Sequence, residues 1–171
     1  MNALAIIVPV AAIIGLIVAY GLTAWISRAD EGTDRMKEIS GFIREGAMAF
    51  LSREYKTMVA VILLLFLIIG FAISWITAAL YVVGACLSVL AGFFGMKVAT
   101  KGNVRTANAA MESGMSKALK IAFRSGAVMG LCVTGLGLLG LGVIFVIMGL
   151  DCVSVITGFG LGASSMALFG R

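Results

Sequence analysis

GFFGMKVATKGNVRTANAA, residues Gly92 to Ala110, carries the chain out of a long hydrophobic run and into a small-residue, polar, basic segment. The change occurs at Lys97, with Lys101 and Arg105 following it. Bases that cluster just past an apolar run mark a membrane exit on the cytoplasmic side, so this stretch orients the rest of the chain.

Working outward, the surroundings agree with a bilayer as solvent. Of 171 residues, 61% are hydrophobic and 12% charged, far from the balance of a water-soluble domain. The formal charge of +5 does not indicate nucleic acid, because Lys and Arg collect in short segments between apolar runs rather than along a face. There is no histidine, the commonest general base, and Cys86, Cys132 and Cys152 form no CxxC. These cysteines read as small buried hydrophobes.

Before Gly92 lie three uncharged runs. Residues 4–26 form the first span, with Pro9 near its entry and Arg28 following it, which places the N-terminus outside. Residues 58–76 form the second and 80–96 the third, leaving residues 77–79 as a tight outer turn, with Trp75 as an interface anchor. The first connector, 27–57, balances its acids and bases one for one. Ile39, Ile43, Ala47, Phe50 and Leu51 recur there at helical spacing, predicting an amphipathic helix that starts near Thr33 or Asp34 and runs into the second span. That helix either packs on neighbouring spans or touches substrate or lipid.

After Ala110 the second connector continues to residue 124, with Glu112 as its single acid. The two connectors hold every Lys and Arg except Arg171, and two crossings separate them, so charge and span count agree that both are cytoplasmic. Residues 125–150 and 152–170 are the fourth and fifth spans. Half of the 22 glycines fall in these last two spans, among them Gly126/Gly130 and Gly158/Gly162 at GxxxG spacing, which predicts close helix packing. The run TGFGLGASS, Thr157 to Ser165, is read as packing surface and not as a phosphate loop, since no strand precedes it and no GK[ST] follows. The expected fold is an all-α, polytopic bundle of five membrane helices.

Within those spans there is no Asp, Glu, Lys or Arg to mark an ion pathway, and the residues alone name no reaction. Four segments in order nevertheless make the chain recognisable: REGAMAFLSREYKT (Arg44 to Thr57), Gly92 to Ala110, FRSGAVMGL (Phe123 to Leu131) and GFGLGASSMALFGR (Gly158 to Arg171). Together they closely resemble the N-terminal part of the membrane-bound, ion-translocating pyrophosphatases. The resemblance implies a homodimeric enzyme of about sixteen helices in a prokaryotic cell membrane, hydrolysing Mg2+-pyrophosphate on the cytoplasmic side and moving Na+ or H+ outward, with the choice of ion and any K+ stimulation left open.

What the resemblance carries over residue by residue is limited. Arg171 matches a position near the ion gate, where it would set the position and protonation of a buried carboxylate in the remainder of the polypeptide. Lys97, Lys101 and Arg105 are candidates for attracting an anionic substrate, beside their positive-inside role. No catalytic or metal-ligating residue is expected in residues 1–171, because the family's aspartate-rich segments come later, and this portion alone is expected neither to hydrolyse nor to pump. The competing reading is a self-contained small polytopic protein, a transporter subunit or assembly factor with no enzymatic activity.

Overall fold

In hydrocarbon every backbone N–H and C=O must be satisfied within its own segment, so a chain this apolar has helices as its natural form. A computed structural model describes residues 3–149 and 155–169 and consists there of five helices without a strand. They are α1 (Ala3–Arg28), α2 (Asp34–Ala72), α3 (Trp75–Ser113), α4 (Met115–Met148) and α5 (Ile156–Phe169). The first four are long and apolar enough to cross a membrane. The fourteen described residues of α5 are shorter, and the fifth span expected at 152–170 extends at both ends into residues outside the description.

α2 starts where Thr33 accepts the Met36 N–H on its hydroxyl (3.4 Å) and continues unbroken for 39 residues. Connector and second span are therefore one rod. Along its amphipathic face Leu51 is buried, whereas Ile39, Ile43 and Phe50 are exposed among the described residues.

Two expectations are corrected. The outer turn lies at Ile73 and Ser74, not at 77–79, and Trp75 opens α3 instead of closing the second span. Hydropathy gives no dip there because the turn is itself apolar: Trp75 folds back on Phe66 and Phe71, with ring centroids 5.8 and 5.1 Å away, over Gly70. Ser74 caps α3, its hydroxyl accepting the Thr77 N–H at 3.3 Å. Ser74→Ala should cost about 1 kcal/mol, read as a lowered thermal midpoint in detergent.

The second correction concerns the polar segment after Lys97, expected as a connector between the third and fourth spans. It stays helical, so α3 carries the third span and most of the second connector without a break. The reversal comes at Gly114, whose φ of 81° only glycine adopts at low cost. The small residues let α4 approach: Ser125 lies directly against Gly102.

α3 is the central helix, contacted by α2, α4 and α5, while α1 lies mainly along α4. α5 runs parallel to α3 at very close range. A Cβ on Gly162 would fall on the Tyr81 carbonyl oxygen, one on Gly158 on that of Thr77, and one on Gly84 on that of Phe159. Ser88 adds a hydrogen bond from its hydroxyl to the Ala163 carbonyl (3.0 Å). This is the close approach expected for Gly158/Gly162. Gly126 and Gly130, expected to do the same, face open space among the described residues. On α4 the contact glycines are Gly135 and Gly142, which receive Leu16 and Pro9 of α1, and Gly140, which receives Leu87 of α3 and Phe159 of α5.

Where α1, α3 and α4 meet, the core is built of Ala19, Ile26, Ala91, Val98, Val128 and Cys132. Large apolar side chains such as Ile13, Ile17, Leu63 and Leu67 point outward, which hydrocarbon tolerates and water does not. Cys132 is buried as expected of a small hydrophobe, whereas Cys86 is exposed on the apolar surface and Cys152 lies outside the described residues.

Candidate functional site

Lys97, Lys101 and Arg105 occupy successive turns of α3, since residues four apart share a helix face. Their surroundings differ. Lys97 is exposed, with its ammonium 5.7 Å from the centre of the Phe93 ring. Lys101 is half-buried. Neither has an ion-pair partner among the described residues.

Arg105 is 6% exposed and fully engaged. Its Nε donates to the Ala29 carbonyl (3.0 Å), Nη1 to the Lys101 carbonyl (2.8 Å), and Nη2 to both the Ser27 carbonyl (3.4 Å) and Glu31 Oε1 (2.7 Å). The last carbonyls of a helix have no partner within it and carry its negative dipole end, so a guanidinium there both satisfies and neutralises them. Arg105 thus latches the end of α1 and the α1–α2 linker onto α3. One turn on, buried Asn108 abuts Gly32, whose φ of 82° makes the linker bend, and donates to Glu112 at 3.4 Å. Of the three bases proposed together for substrate attraction, Arg105 is committed to this latch, and Lys97 and Lys101 keep free charge.

A second polar feature escaped the sequence reading. Glu54 and Tyr55 of α2 face a cavity of about 160 Å³ that also receives Ser88 of α3, Met129 of α4 and Met166 of α5. The Glu54 Oε2 is buried without a hydrogen-bond partner among the described residues, and the Tyr55 hydroxyl donates to the Val89 carbonyl at 3.4 Å. The signal was available in the spacing: Glu54 shares a helix face with Leu51 and Met58, both buried. Arg171, the ion-gate candidate, lies outside the described residues.

No three His, Cys, Asp or Glu are grouped among the described residues as a metal site requires. Several acids are already paired, Glu31 with Arg105, Asp34 with Lys37 and Glu38 with Arg35. These residues do not fit a Mg2+ site, and no step through that ion is assigned to them.

Comparison with known proteins supplies what this geometry lacks. A family profile described as inorganic H+ pyrophosphatase matches residues 13–171. A putative K+-stimulated pyrophosphate-energized sodium pump of Clostridium tetani is 48% identical over 94% of this chain and 24% of its own length. A K+-insensitive pyrophosphate-energized proton pump of Methanosarcina mazei is 42% identical over 100% of this chain and 25% of its own. The K+-stimulated pyrophosphate-energized sodium pump of Thermotoga maritima is 38% identical over 86% and 23% respectively. The chain spans about a quarter of the length of these relatives.

Proposed function

The chain belongs to the inorganic H+ pyrophosphatase family, and from that premise we propose that it supplies the first membrane helices of a pump coupling Mg2+-pyrophosphate hydrolysis to outward transport of Na+ or H+. The observation that carries this reading is the match over residues 13–171, supported by relatives named as pyrophosphate-energized pumps. Those names include both ions and both K+ responses, so the ion and the K+ requirement are left open in the proposal.

In this reading the chain is an integral membrane scaffold with its N-terminus outside, working as a homodimer with the remainder of its polypeptide. The clustering of bases at one end of the helices supports that orientation. Lys97, Lys101 and the other bases at that end would add a long-range field that draws pyrophosphate toward it without binding it. Arg171 would act at the ion gate, bonded to a carboxylate that lies beyond this chain.

The test uses the full-length polypeptide in inverted membrane vesicles, with phosphate release and ion uptake measured separately. Mg2+-dependent hydrolysis with Na+ or H+ uptake is expected, and absence of both in correctly inserted protein overturns the proposal. Arg171→Ala should lower ion uptake per phosphate released or abolish both activities. Loss of neither removes Arg171 from the site.

A further inference from the structure

We propose that Lys97 and Lys101 hold the phosphate of an anionic phospholipid whose acyl chain lies in a groove between α1, α3 and α4. The groove measures about 320 Å³ and is walled by Leu16, Tyr20 and Thr23 of α1 and by Phe94, Lys97 and Lys101 of α3, with α4 as its floor. It is apolar for most of its length and doubly cationic at one end, which is the polarity of a phospholipid laid along a helix bundle. Basic pockets of this kind between membrane helices recognise anionic headgroups.

The depth of the site agrees with that occupant. Lys97 follows directly on the uncharged run of α3, so its ammonium lies at the level where hydrocarbon gives way to headgroups. At the same end of the bundle the Arg124 guanidinium lies 3.8 Å from the centre of the Trp25 ring, a cation and an interfacial aromatic side by side.

Charge complementarity selects among occupants. Among the described residues neither lysine has an acid to pair with, and Glu31, a turn beyond, is taken by Arg105. A free phosphate would answer the two ammonium groups and leave the apolar groove unfilled. An apolar protein segment would fill the groove and leave two cations facing it. A phospholipid satisfies both, and the inference holds whatever the pump assignment becomes.

The experiment places the full-length protein in vesicles of phosphatidylcholine alone or with added phosphatidylglycerol, and follows lysine acylation by peptide mass mapping. Lys117 and Lys120, exposed on the first turns of α4, report the general effect of surface charge. Phosphatidylglycerol should slow acylation of Lys97 and Lys101 by about tenfold beyond any change at Lys117 and Lys120. Detergent-released wild-type protein should retain phosphatidylglycerol by native mass spectrometry, and the Lys97→Gln/Lys101→Gln variant should lose it. Full protection in phosphatidylcholine alone would mean that polypeptide covers the groove and would overturn the proposal. Equal slowing at all four lysines, no slowing, or protection by inorganic phosphate in phosphatidylcholine vesicles would overturn it as well.

Discussion

Alanine at Arg105 is expected to cost the folded protein about 3 kcal/mol, more than any other single change to a charged residue among those described. Removing one member of a buried ion pair typically costs about 3–5 kcal/mol, because the partner is left desolvated and alone. The lower end applies here, since the Glu31 side chain is 32% exposed and recovers water once its partner is gone. The Ser27 and Ala29 carbonyls lose their donors in the same step, so the end of α1 and the linker are released together. Arg105→Lys keeps the charge but not the fork that reaches three carbonyls and a carboxylate, and should recover less than half of the loss. Glu31→Gln should cost less than Arg105→Ala, because the amide oxygen still accepts a hydrogen bond and the other three acceptors remain. Denaturant titration in mixed micelles measures the order. Arg105→Ala within about 0.5 kcal/mol of wild type would contradict the latch.

The second large effect is expected at Gly162, where even a methyl group has nowhere to go. The obstruction is the Tyr81 backbone carbonyl, with the Ala85 backbone N–H beside it, so no side chain can rotate aside and the helices must separate. Overpacking costs roughly 1–3 kcal/mol where side chains can adjust. Against fixed backbone, Gly162→Ala should reach about 3 kcal/mol and Gly162→Leu should prevent accumulation of folded protein. The matched control is Gly130→Ala, which meets nothing within 4 Å and gains helix propensity. It should be neutral or stabilising by up to about 1 kcal/mol. Equal effects at the two glycines, read as thermal midpoints by size-exclusion, would remove close α3–α5 packing as the cause.

These glycines show how far the sequence could be read. GxxxG spacing identified both pairs, but spacing cannot say which face of a helix meets a neighbour, and only Gly158/Gly162 points at one. The start of α2 at Asp34 was legible because Thr33 is a local capping signal. The turn at Ile73 and Ser74 was not, because Trp75 stacks against Phe66 and Phe71 within an apolar run and hydropathy shows no dip there. Of the candidate site, Lys97, Lys101 and Arg105 were legible as a basic set, but their place on one face of α3 was not, since the segment is expected as a connector and proves helical. Nor was the burial of Arg105, since Glu31 is 74 residues away in sequence. The Gly, Ala and Asn that flank Arg105 are a sign of close packing, but composition alone does not say which helix they meet.

The uninterrupted course of α3 has a mechanical consequence. Thirty-nine residues make a rod about 58 Å long, roughly twice the thickness of a bilayer's hydrocarbon core. The Gly84 contact with α5 sits in one half and the Arg105 latch in the other. Asn108 lies about 36 Å along the axis from Gly84, so a tilt of about 5° about that contact would sweep it through about 3 Å. Any tilt of α3 at its contact with α5, inside the apolar half, would thus be magnified at the polar end, where the Arg105 latch holds it.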